Sequence, residues 1–144
     1  KCCVDEARVR CMLLTGKRVY EIEDEKYNYI VFKVLLEEHG ADVIFGGWSK
    51  NTLRRIKESP PDIILLDLMF PNGISGFDIF TELRQEESLT AVPIIAVSAS
   101  NASTAMGKAR QMGFSGYISK PINFQLFPNQ ILTVLSGESV WYAD

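Results

Sequence analysis

From Lys17 to about Leu135 the chain alternates short apolar runs with amphipathic segments of helical length, and this pattern restricts the possible folds more than any other feature. The short runs suit strands and the longer segments suit helices packed beside them. Their regular exchange predicts an α/β domain with a parallel sheet. Candidate strands are Arg18 to Ile22, Asp42 to Phe45, Asp62 to Leu66, Pro93 to Val97 and Tyr117 to Ser119. Ile63 to Leu66 and Ile94 to Val97 are apolar on both faces, as central strands covered by helices on each side should be. Candidate helices run from about Glu25 to His39, Asn51 to Glu58, Phe77 to Arg84, Ser103 to Met112 and Asn123 to Leu135. Gly40 and Gly113 stand where a helix closes on a left-handed residue, and Pro60-Pro61 stops the second helix. Ser49 or Asn51 can cap the second helix and Asn123 the fifth. Pro128 would break a helix interior, so the last helix is expected to begin near Phe127 with the proline in its first turn.

Composition narrows the function classes. The chain has 144 residues, 47% hydrophobic and 23% charged, which suits one soluble domain with a single core. The longest apolar runs, such as Tyr29-Ile30-Val31-Phe32, are four residues, against about 20 for a membrane span. A net charge of −3 gives no field that would gather a polyanion, so direct nucleic-acid binding is not expected. Cys2, Cys3 and Cys11 are odd in number and lack disulfide or zinc spacing, which points to reduced thiols of a cytoplasmic protein. Residues 1–16 have no basic start followed by an apolar stretch and are not expected to be a secretory signal, and a chain that opens on Lys1 is expected to be a piece of a longer one, or a processed one. Residues 1–16 read as an N-terminal extension or linker, 17–136 as the domain and 137–144 as a C-terminal tail. Packing on the domain is the expected place of Trp141-Tyr142.

Five βα units with right-handed crossovers make a doubly wound open sheet whose ligand site lies beyond the carboxyl ends of the strands. Residues just after the strands are therefore the ones to weigh. Glu23-Asp24-Glu25 follow the first strand, Asp67 the third, Ser98-Ala99 the fourth and Lys120-Pro121 the fifth. Carboxylates converging on one crevice repel one another unless a cation sits among them, and hard oxygen ligands favour Mg²⁺. Lys120 adds a positive charge and Ser98 a hydroxyl donor, and with the metal these are the partners that phosphoryl oxygens require.

The joint pattern resembles the response-regulator receiver domain of two-component signalling, a CheY-like superfamily. The residues that carry the resemblance are Glu23-Asp24-Glu25, then Leu65-Leu66-Asp67-Leu68-Met69-Phe70-Pro71, then Ala96-Val97-Ser98-Ala99-Ser100, then Tyr117-Ile118-Ser119-Lys120-Pro121-Ile122, in the family's order across Lys17 to Leu135. It implies a flavodoxin-like (βα)5 fold with a five-stranded parallel sheet in the order 2-1-3-4-5. It also implies that Asp67 is the phosphoacceptor, that Lys120 and Ser98 act with it, and that Ser98 and Tyr117 form the switch. Glu23, Asp24, Asp67 and the backbone carbonyl of Met69 would hold Mg²⁺. The implied partners are a histidine kinase or phosphotransfer protein upstream, and a downstream protein bound through the fourth helix, fifth strand and fifth helix. Such a chain is a signalling switch that catalyses only its own phosphorylation and dephosphorylation.

Two departures accompany the resemblance. Asn72-Gly73-Ile74-Ser75 is one residue longer than the family's usual spacing between Pro71 and Gly76, which raises the alternative of a pseudo-receiver, an interaction module that is not phosphorylated. Glu21 stands where the first strand is usually apolar, a costly placement unless it is paired or near a sheet edge. Other phosphate chemistries fit poorly. A haloacid-dehalogenase-type phosphatase needs a second aspartate where Met69 stands, and Thr15-Gly16-Lys17-Arg18 lacks the upstream glycine and following hydroxyl of a P-loop. His39, the only histidine, is expected to be structural.

Overall fold

The computed structural model describes residues 13–99 and 102–143. Cys2, Cys3, Cys11 and Ser100 lie outside the described residues. In chain order the elements are β1 (Arg18–Ile22), α1 (Lys26–Glu37), β2 (Asp42–Gly46), α2 (Lys50–Glu58), β3 (Ile63–Leu66), α3 (Gly76–Arg84), β4 (Ile94–Ser98), α4 (Ala102–Met112), β5 (Gly116–Ser119), α5 (Phe127–Leu135) and β6 (Val140–Tyr142). Short 3₁₀ turns occupy Pro71–Gly73 and Glu87–Leu89. The strands form one sheet in the order β2-β1-β3-β4-β5-β6, with every neighbouring pair parallel.

Strand alternation divides the core into two layers. Tyr20, Ile22, Ile64, Leu66, Ala96 and Tyr117 face α2, α3 and α4, where they meet Ile56, Ile79, Phe80 and Ala109. Val19, Ile63, Leu65, Val97 and Ile118 face α1 and α5, where they meet Phe32, Leu36, Phe127 and Ile131. Helix ends follow the local chemistry. The Ser49 hydroxyl accepts the Thr52 N–H at the start of α2, and the Ser75 hydroxyl accepts the Phe77 N–H at the start of α3. Gly40 and Gly113 close α1 and α4 at φ of +91° and +100°. Pro128 sits in the first turn of α5, where its missing N–H breaks no bond. Asn123 caps the turn that leads into that helix, its side-chain oxygen accepting the Gln125 and Leu126 N–H groups.

Two segments beyond the expected bounds of 17–136 pack on the domain, as expected for Trp141-Tyr142. Leu14 is fully buried in the α1/α5 layer, and its N–H donates to the His39 carbonyl. Residues Val140–Tyr142, within the expected tail, form β6 on the free side of β5. A sixth strand had no sequence signal of its own, because three residues near a terminus carry no measurable alternation. Among the described residues no helix is long and apolar enough to cross a membrane.

Candidate functional site

Three charged residues follow directly on strand ends, and the ladder fixes each of them. The Glu23 N–H donates to the Gly46 carbonyl, the Asp67 N–H to Ile22 and the Lys120 N–H to Ser98. Because Glu23, Asp67 and Lys120 continue the alternation of Val19, Leu65 and Ile118, they belong on the α1/α5 side of the sheet. Their side chains meet there. Lys120 Nζ donates to Glu23 Oε1 at 2.7 Å and to Asp67 Oδ2 at 3.4 Å. The Met69 N–H donates to Asp67 Oδ1 at 3.2 Å, and Asn28 Nδ2, from the first turn of α1, donates to Glu23 Oε1 at 3.3 Å. Ser98 is fully buried at the end of β4, and the Lys120–Pro121 peptide beside it is cis.

The site holds two carboxylates for one ammonium. Burial pushes the Glu23 carboxyl above its ordinary value, a hydrogen bond that its protonated form donates to Asp67 adds to this, and the Lys120 contact only partly offsets both. Burial pulls Lys120 down, but the Glu23 hydrogen bond and the Asp67 charge outweigh it and leave the ammonium more firmly protonated. Tyr117 is raised by burial first and then by the Asp67 charge, so the ring's hydroxyl feels the site electrostatically. The excess negative charge and the all-oxygen donor set fit a hard divalent cation. Asp24 is exposed at the rim, where the absence of a side chain on Gly47 leaves room for its carboxylate. Among the described residues no group of three such side chains already stands in a metal-binding arrangement.

The loop after β3 turns back on itself. Pro71–Gly73 form a 3₁₀ turn, and the chain returns through a bridge between Met69 and Ser75. The bonds that close this bridge use the Leu68 carbonyl and the Phe70 N–H, not those of Met69. Gly76 then passes so close to the β3 end that a Cβ would collide with the Asp67 carbonyl oxygen and the Leu68 Cα.

Glu21 is neither paired nor at an edge: β1 lies between β2 and β3, the residue is 2% exposed, and its Oε1 has no hydrogen-bond partner. Burial first, and then the Glu23 charge, push its carboxyl up to about 9, so it remains in the sheet as a neutral acid. The Tyr117 ring is fully buried. His39 is structural, its Nδ1–H donating to the Leu35 carbonyl at 3.0 Å. Asn28 escaped the sequence reading, since an asparagine in an amphipathic helix carries no sign of what it faces. So did the outer face of α1. Tyr27, Ile30, Val31 and Val34 are exposed on it and lead to the exposed Phe124 of the β5–α5 loop. A groove of about 370 Å³ lies between the two and is lined by Asn28, Val31, Ala99, Lys120, Pro121 and Phe124.

An open parallel sheet with an acid after β3, an acidic pair after β1 and a lysine after β5 is the arrangement that the receiver resemblance implies. Residues 19–132 match the response regulator receiver domain, and the chain belongs to that family. The polar-differentiation response regulator DivK of Brucella ovis is 34% identical over 119 residues, covering 83% of this chain and 96% of the relative. DivK of Brucella anthropi is 33% identical over the same length. Among solved structures, the receiver domain of sensor histidine kinase PA1611 from Pseudomonas aeruginosa, with a magnesium ion coordinated in its active site cleft, is 26% identical with a TM-score of 0.71, covering 86% of this chain and all of that one. A response regulator from Chloroflexus aurantiacus shares the fold with a TM-score of 0.76 at 21% identity, over 83% of this chain and 98% of that one.

Proposed function

We propose that this receiver accepts a phosphoryl group on Asp67 from the phosphohistidine of a histidine kinase or phosphotransfer protein in the cytoplasm, and thereby switches a downstream interaction. One observation carries the reading: the Asp67 carboxylate stands at the mouth of the sheet between the Met69 N–H and Lys120 Nζ, both of which donate to it. In the transfer an Asp67 carboxylate oxygen attacks phosphorus and the phosphorus–nitrogen bond to the donor imidazole breaks. Lys120 meets charge on the phosphoryl oxygens, and Ser98 supplies a hydroxyl from the adjacent strand end. Mg²⁺ would be held by Glu23, Asp24, Asp67 and the Met69 carbonyl, and when bound it neutralises charge on the group in transit.

The apolar strip along α1 and Phe124 borders this mouth and suits the helical surface of a phosphodonor. Retention of the Met69 N–H on Asp67 and of Lys120 beside it, with the Met69–Ser75 bridge closed through Leu68 and Phe70, supports a phosphorylatable site over a pseudo-receiver. Incubation with acetyl phosphate and Mg²⁺, followed by mass spectrometry, is the test. The parent is expected to carry one phosphoryl group that base and hydroxylamine remove, as they do an acyl phosphate, and Asp67→Asn none. Undiminished label on that variant, or an unlabelled parent beside a labelled control receiver, refutes the assignment.

A further inference from the structure

The sheet edge beyond β5 is already taken. β6 runs parallel to β5 with Trp141 opposite Tyr117, and Trp141 packs on the apolar cluster that contains Tyr117. The Arg110 guanidinium of α4 lies over the Trp141 ring at 4.5 Å. On the other face Val140 and Tyr142 join the layer beneath α5. The edge is shaped for this strand, since a Cβ on Gly116 would stand 2.6 Å from the Val140 carbonyl oxygen. The turn that delivers β6 passes through Gly137 at φ +102°, and the Gly137 and Glu138 N–H groups close α5 on the Val134 and Thr133 carbonyls. Without β6, β5 would be the edge strand and the flank of Tyr117 would face solvent. With β6 in place, Tyr117 is fully buried.

We propose that β6 is a latch on the switch: docked along β5 through Trp141, it holds Tyr117 inward and thereby favours the phosphorylated arrangement of the site. The proposal rests on the reading of Asp67 as phosphoacceptor with Ser98 and Tyr117 as its switch. A phosphoryl group that draws Ser98 toward Asp67 opens space for the ring to lie inward, and the latch stabilises the same ring position. Two events that favour one state favour each other, and the coupling is reciprocal. Latch docking therefore raises affinity for the phosphoryl group, and the phosphoryl group tightens the latch.

The test uses the full chain, with beryllium fluoride and Mg²⁺ as the phosphoryl mimic. Fluorine NMR follows uptake of the mimic, and hydrogen exchange follows the amides of Gly116–Ser119 and Val140–Tyr142. Gly116→Val pries the strand away and Trp141→Ala removes its anchor. Each is expected to weaken mimic binding about fivefold or more, while Trp141→Phe, which keeps an aromatic anchor, recovers most of the loss. In the parent the mimic is expected to slow exchange across β6. Equal or tighter mimic binding in the two loosened variants, with β6 exchange in the parent unmoved, overturns the latch and leaves the phosphoacceptor reading standing. A parent that takes up no mimic overturns that reading, and the latch falls with it.

Discussion

Replacing Glu21 by leucine is expected to stabilise this protein, by an amount that grows with pH. In the folded chain the carboxyl lies mid-sheet in β1, with Phe45 and Leu65 as its strand partners, 2% exposed and with an oxygen that has no partner. Burial raises its pKa from 4.5 to about 9. Below 4.5 both folded and unfolded chains hold the proton, and Glu21 adds no pH-dependent cost. Between 4.5 and 9 the unfolded chain releases the proton while the folded chain retains it, so the unfolded state binds fewer protons and stability falls as pH rises. The slope is about 1.4 kcal/mol per pH unit, and at pH 7, about 2.5 units above the unfolded value, the cost is roughly 3 kcal/mol. That is a sizeable share of a stability of about 5–15 kcal/mol for a domain of ordinary size. Urea unfolding of the parent and Glu21→Leu in parallel, from about pH 5.5 to 8.5, isolates the effect, because the other titrating groups are common to both. The stability difference should widen steadily in favour of leucine. A difference that stays flat or narrows with rising pH would refute the assignment of a neutral buried acid.

Glu23 carries a second pH dependence: burial holds its carboxyl above the ordinary range, and a cation needs the ionised form, so Mg²⁺ affinity measured by calorimetry should climb as pH is raised from about 5 to 8. Asp24→Ala should weaken Mg²⁺ binding in the same titration while leaving thermal stability close to the parent's, since Asp24 is exposed at the rim; unchanged affinity would remove it from the metal set. Gly76→Ala should destabilise the fold by about 1–3 kcal/mol in denaturant unfolding, because the added carbon meets backbone at Asp67 and Leu68 that no rotamer change can clear. Lys120→Met should leave Glu23 and Asp67 facing each other without their shared ammonium, slowing acetyl phosphate labelling of Asp67 by roughly tenfold or more.

Local chemistry alone determined much of this protein. The exchange of strand-length and helix-length patterns, with caps at Ser49 and the left-handed Gly40 and Gly113, is written in neighbouring residues, and the elements fall within a few positions of where those signals place them. The strand-end residues Glu23, Asp67, Ser98 and Lys120 were visible too, because a parallel α/β sheet leaves only one end on which they can converge. Tertiary structure decided what depends on distant partners. That Glu21 stays neutral follows from the layer that covers it, not from its neighbours in sequence. Asn28 becomes a ligand of Glu23 only when α1 is laid over the end of β1. Tyr117 is inward because an apolar layer and β6 enclose it. Three residues, Val140–Tyr142, hold no strand on their own. They become one because β5 offers a row of backbone groups, Gly116 leaves space for the Val140 carbonyl, and Arg110 meets Trp141 across more than twenty intervening positions, a conjunction that no local stretch of sequence contains.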